Sequence, residues 1–189
     1  MAIVSLFVRR AALTIVLLVA LGQTAATASP ARHHKRPKPP TKAEIRAAVS
    51  RAKRSHELWA TVNICDTAKH PNVIGIRGQL PALGFPARMS MLVQVDYYVA
   101  ADGRFERDKK VPRVRVHLGK KPEATGLWQG GVKFTFTPPA VLSGTVTFQW
   151  RLGHKLIGSV TKLTAHGVKG VADGDPPHYS TATCTINAP

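Results

Sequence analysis

RMSMLVQVDYYVA, residues 88–100, decides the fold. Met89, Met91, Val93, Val95, Tyr97 and Val99 fall on one side of an extended chain; Ser90, Gln94 and Asp96 fall on the other. A period of two marks a strand buried on one face, and one-sided burial is the habit of antiparallel sheets. Asp102-Gly103 follows as a strong turn signal. The same alternation recurs outward from this segment. It is present in Leu58–Cys65, Asn72–Gln79, Arg113–Leu118 and Val132–Thr137, then in Val146–Leu152, Lys155–Thr164 and Tyr179–Ile186. Val114, Val116 and Leu118 face inward while Arg113, Arg115 and His117 face outward. Short alternating strands separated by turns specify a sandwich or barrel, not a parallel sheet. The predicted fold class is all-β: an antiparallel Ig-like sandwich of about seven to eight strands over residues 58–189.

The N-terminal region reads differently. Arg9-Arg10, the apolar run Ala11–Leu21 and the Ala26-Thr27-Ala28 site make a secretory signal peptide over residues 1–28. The run is shorter than the ~20 apolar residues that span a bilayer. Residues 29–57 form a basic, Pro-rich arm with nine Lys/Arg against two Glu. Its first part, SPARHHKRPKPP, has no apolar periodicity and predicts an extended chain. Thr41-Lys42-Ala43-Glu44 is a capping box, and Ile45, Ala48, Val49 and Ala52 continue at helical spacing. A helix over residues 42–54 is predicted. Its stripe is mostly alanine, which predicts a spacer that frays and packs little against the β domain, with a protease-resistant fragment beginning near Leu58.

Two cysteines occur, Cys65 and Cys184. In an exported chain an even pair reads as a disulfide, here tying the first strand to the last. Trp150 is a predicted core residue. The order Cys…Trp…Cys departs from the immunoglobulin pattern, because the tryptophan lies far from Cys65 and near Cys184. "Ig-like" is therefore an architectural expectation.

Three stretches carry a resemblance: LWATVNICDTAKHPNVIGIRGQLP (Leu58–Pro81), TFQWRLGHKLIGSVTKLTAHG (Thr147–Gly167) and DGDPPHYSTATCTI (Asp173–Ile186). They resemble uncharacterised secreted β-sandwich proteins of high-GC actinobacteria. The resemblance implies a bacterial exported or cell-surface setting and a sandwich fold. It implies no activity, cofactor or catalytic residue.

Catalytic motifs are missing from the sequence. His56-Glu57 does not extend to a zinc-protease motif, and neither a nucleophile elbow nor a phosphate-binding Gly loop is present. Eight carboxylates lie between residues 58 and 189, most in turns where Asp makes local hydrogen bonds. Asp173-Gly174-Asp175 lacks the further oxygens of a calcium loop. No catalytic residue, metal site or cofactor is expected.

Charge gives the functional signal. The formal net charge is +17. Arg104, Arg107, Lys109, Lys110, Arg113, Arg115, Lys120 and Lys121 crowd residues 104–121. They are the candidate anion-binding residues, since such a field attracts polyanions. Trp128, in a Gly-rich loop with Gly126, Gly130 and Gly131, is the candidate stacking residue for a sugar or base. The leading reading is a non-catalytic secreted or cell-surface binding or structural module. Its partner would be anionic cell-wall polymer or a membrane surface, with no specific nucleic acid. The alternatives are a carbohydrate-binding accessory sandwich using the Trp128 loop, and an enzyme of unrecognised type.

Overall fold

A computed structural model describes residues 38–187. The signal peptide expected at 1–28 and the arm's segment 29–37 lie outside the described residues.

Among the described residues one helix, α1 (Lys42–Arg54), precedes nine strands. These are β1 (Trp59–Thr67), β2 (His70–Pro81), β3 (Ala87–Val99), β4 (Arg104–Arg107), β5 (Val114–Glu123), β6 (Leu127–Thr135), β7 (Ala140–Leu152), β8 (Lys155–Leu163) and β9 (Thr183–Ile186). All strand pairs are antiparallel. The smaller sheet runs β1-β2-β6. The larger is centred on β3 and β7. One edge of β3 carries β5 over Ala87–Val93 and then β4 over Asp96–Val99. The outer edge of β7 carries β9 and then β8 in the same way.

The core is the alternation predicted from β3, met by its counterparts. Met89, Met91, Val93 and Val95 are buried with Val146, Phe148 and Trp150 of β7 and with Ile74, Ile76 and Leu80 of β2. Trp150 donates its Nε1 hydrogen to the Pro81 carbonyl at 3.0 Å, so its polar atom is satisfied inside the core. Tyr97 departs from the expectation and is exposed, because β3 there runs into the β4 hairpin beyond the cover of the small sheet.

The helix corrects the spacer expectation. Its capping box is formed: Glu44 N donates to Thr41 Oγ1, and Glu44 Oε2 accepts from Thr41 N. Ala48, Val49 and Ala52 are only 4%, 7% and 5% exposed, and they belong to the core. A Cβ on Gly158 of β8 would lie 2.6 Å from Val49 Cγ1 and 3.3 Å from Trp150 Cε3. The missing side chain lets the helix settle onto the sheet. An alanine stripe is thin for a free helix, yet small residues are what close approach requires.

The two outer faces are treated differently. Segment 164–182 runs over the small sheet and along the free edge of β1. Ala165 N donates to Ala60 O, and Val62 and Thr181 exchange backbone hydrogen bonds. Asn63, Gln129 and Arg77, side chains of the outer face, bind Asp173 O, Gly170 O and the Asp173 carboxylate. The disulfide Cys65–Cys184 then joins β1 to β9 of the other sheet, with Cα atoms 5.3 Å apart. The outer face of the large sheet receives no such cover among the described residues.

Candidate functional site

The uncovered face is built from the polar halves of the alternating strands. On β3 it presents Arg88, Ser90, Leu92, Gln94 and Asp96; on β5 it presents Arg115 and His117, preceded by Arg113. On β7 it presents Arg151, Gln149, Thr147 and Thr145. Register decides which of these meet. Arg88 stands directly opposite Arg151, and Ser90 stands between His117 and Gln149. Arg115 reaches across β3, donating from Nη1 to Gln149 Oε1 at 2.9 Å and to Ser90 Oγ at 3.3 Å. The two-residue turn Gly153-His154 closes the β7–β8 hairpin beside them, where Arg151 Nη1 donates to the His154 carbonyl at 2.9 Å.

These side chains enclose a concavity of about 350 Å³ lined by Arg88, Ser90, Arg115, His117, Arg151 and His154. Next to it a hollow of about 170 Å³ shares Arg88 and His117 and adds Lys120 and Lys121. The β3–β5 register shifts between Ala87 and Met89, and this bulge turns the two lysines out at the rim. Neither concavity is lined by a carboxylate. Among the described residues the ion pairs are Arg77–Asp173, Arg104–Asp102 and Arg104–Glu106, so none neutralises Arg88, Arg115 or Arg151. Like charges directly opposite on paired strands are destabilising. The Arg88–Arg151 pair therefore carries a cost that a bound oxyanion would relieve, and guanidinium groups match carboxylate, sulfate and phosphate oxygens in pairs.

The residues singled out from sequence divide between two ends of this face. Arg115, Lys120 and Lys121 join the concavity. Arg113 lies one step along, its Nε donating to Gln94 Oε1 at 2.9 Å. Arg107, Lys109 and Lys110 line a separate hollow of about 430 Å³ together with Glu106 and Asp108. That hollow is larger, but its carboxylates offset its cations, and Arg104 beside it is already paired with Glu106 at 2.7 Å. Arg88, His117, Arg151 and His154 were not among the sequence candidates. The outward positions of Arg88, His117 and Arg151 on alternating strands and of His154 in its turn were visible, but their convergence depends on register.

Trp128 is corrected in place. It lies in β6 and not in a loop, half-buried against the core, with Nε1 donating to Thr125 O at 3.1 Å. Gly126, at a φ of 95°, does serve the turn before β6, but Gly130 and Gly131 lie in the strand and serve packing. A Cβ on Gly130 would meet Leu118 Cδ2 at 2.6 Å, so the two sheets approach there only because the side chain is missing. Among the described residues no three His, Cys, Asp or Glu side chains gather as metal ligands would.

No family model matches the chain, and no curated protein does. Two of the solved structures similar to it are the following. One is a Bacteroides fragilis protein provisionally assigned as a beta-galactosidase, at 12% identity and a TM-score of 0.34, covering 57% of this chain. The other is Bacteroides uniformis beta-glucuronidase 2, covalently bound to cyclophellitol-6-carboxylate aziridine, at 16% identity and a TM-score of 0.31, covering 59%. The chain spans 16% and 13% of the length of those two proteins.

Proposed function

We propose that this domain is a non-catalytic binding module for anionic polymer of the cell envelope, exported and held outside the cytoplasm. The observation that carries the reading is the concavity in which Arg88, Arg115 and Arg151 converge with His117 and His154 and meet no carboxylate. The disulfide supports the compartment, since such bonds persist where thiols are not kept reduced. The half-buried, hydrogen-bonded Trp128 does not favour the stacking alternative.

The test is retention on purified anionic wall polymer. Arg88→Ala/Arg151→Ala should lose most of the binding, while Lys53→Ala on α1, also basic, should keep it. Equal retention of both variants would overturn the reading.

A further inference from the structure

The cations of the open face do not stop at the concavity. They continue as a stripe along β3: Arg88 and Arg151 at one end, Arg115 over Ser90 and Gln149, Arg113 on Gln94, and Arg107 opposite Asp96. From Arg88 to Asp96 the stripe runs along nine residues of β3, about 27 Å over the intervening steps at the rise of an extended strand. A single small anion fills the concavity and leaves the remainder untouched. A linear chain with repeated charges meets every step.

The flanks of the stripe narrow its chemistry. Ser90, Gln94, Thr145, Thr147 and Gln149 border the guanidinium groups, and Thr161 of β8 shares a hydrogen bond with Thr147 at 2.9 Å. Hydroxyl and amide side chains beside cations suit a ligand that alternates charge with hydroxyl groups. Nucleic acid would call for stacking surfaces along the path. Among the described residues the exposed aromatics are confined to the Arg107 end, where Tyr97 lines the hollow and Tyr98 and Phe105 pair at 5.3 Å between ring centroids. Asp96 is the carboxylate within the β3 part of the face. It is only 6% exposed, and its oxygens accept from Gln94 Nε2 and Thr145 Oγ1. It is therefore engaged with the sheet and not directed at a ligand.

We infer that the ligand is a linear acidic polysaccharide lying along the outer face of the large sheet, from the Arg88–Arg151 end toward Arg107. This rests on the anion-binding reading above and goes beyond it by fixing the ligand's shape and class.

The experiment is a titration of the full chain with sulfated oligosaccharides of defined length, from disaccharide to dodecasaccharide, by calorimetry. Affinity should rise by roughly a hundredfold across the series, as linked contacts reinforce one another, and level off once the oligomer spans the stripe. Arg113→Ala and Arg107→Ala should each weaken the longest oligomer by roughly fivefold, the scale of an exposed ion pair, and should affect the disaccharide less. Arg151→Ala should weaken every length. A disaccharide that binds as tightly as the dodecasaccharide would overturn the linear-ligand inference and leave the anion site standing. Stronger binding of length-matched polyphosphate or single-stranded DNA would overturn the polysaccharide assignment. Failure of every anion at every length would overturn the anion-binding reading itself.

Discussion

Gly130 and Trp128 sit two residues apart, and both are packing residues. A side chain at residue 130 would strike Leu118, and the residue-128 ring lies against the same core. Gly130→Val should lower stability by about 1–3 kcal/mol, the usual cost of overpacking. Urea unfolding measures it, and an unchanged midpoint would show that the sheets can part there. Trp128→Ala should lower the unfolding midpoint while leaving affinity for an anionic oligomer as in the unsubstituted protein; a loss of affinity with unaltered stability would restore the stacking role. The sequence misled at these residues for a physical reason. Glycine is read as a turn signal because it frees the backbone, whereas here it serves by taking no space. The site divides along the same line. Arg115, Lys120 and Lys121 stand out because they are close together in the chain. Arg88 lies far in the sequence from Arg151 and His154, and only the strand register brings them to one concavity. A shift of one residue would send Arg151 to the core side and Trp150 to solvent, which is why register is strongly specified yet unreadable from composition.

The helix and the short strand show what periodicity can carry. The α1 pattern and its capping box were legible from Thr41 and Glu44, but the partner of the alanine stripe was not, because Gly158 is more than a hundred residues away. Limited proteolysis should therefore leave a resistant fragment that keeps α1; a stable fragment beginning near Leu58 would contradict the docking. Val49→Asp should release the helix and expose Trp150 to quenchers of its fluorescence. Hydrogen bonds from the Thr41 backbone and side chain hold the Glu44 carboxyl below its ordinary range. A depressed folded-state value means the contribution is present above the unfolded value and is lost as pH falls through the folded one. The protection of first-turn amides of α1, measured against their intrinsic exchange rates, should accordingly fall below the ordinary carboxylate range, and Glu44→Gln should remove that pH dependence. Strand β4 was not legible at all. Arg-Phe-Glu-Arg holds one apolar side chain, so alternation had nothing to repeat. It forms because the Asp102-Gly103 turn folds it back onto β3.

Among the described residues the β domain is a sandwich with one covered outer face and one open one, stapled between its first and last strands. Cys65 and Cys184 are 119 residues apart. Closing so long a loop restricts the unfolded chain, so Cys65→Ser/Cys184→Ser should cost about 2–5 kcal/mol in equilibrium denaturation. An unaltered midpoint would mean that β1 and β9 hold without the bond. Although β4 makes nine strands where about seven to eight were expected, the alternating strands and the pairing of Cys65 with Cys184 were legible. The strap 164–182 was not, because it is fixed by side chains of the sheet below it and has little alternation of its own. Yet the strap makes the two faces unlike: among the described residues it closes the small sheet and leaves the arginine stripe of the large one exposed. The most direct measurement is the salt dependence of affinity for an acidic oligosaccharide long enough to span that stripe, compared between the unsubstituted protein and Arg88→Ala/Arg115→Ala/Arg151→Ala. Exposed charges are screened over about 8 Å at physiological ionic strength. Affinity of the unsubstituted protein should fall steeply as salt rises, and the variant should bind weakly with a much shallower dependence. If both bind alike and respond to salt alike, the open face of the large sheet is not where the polymer binds.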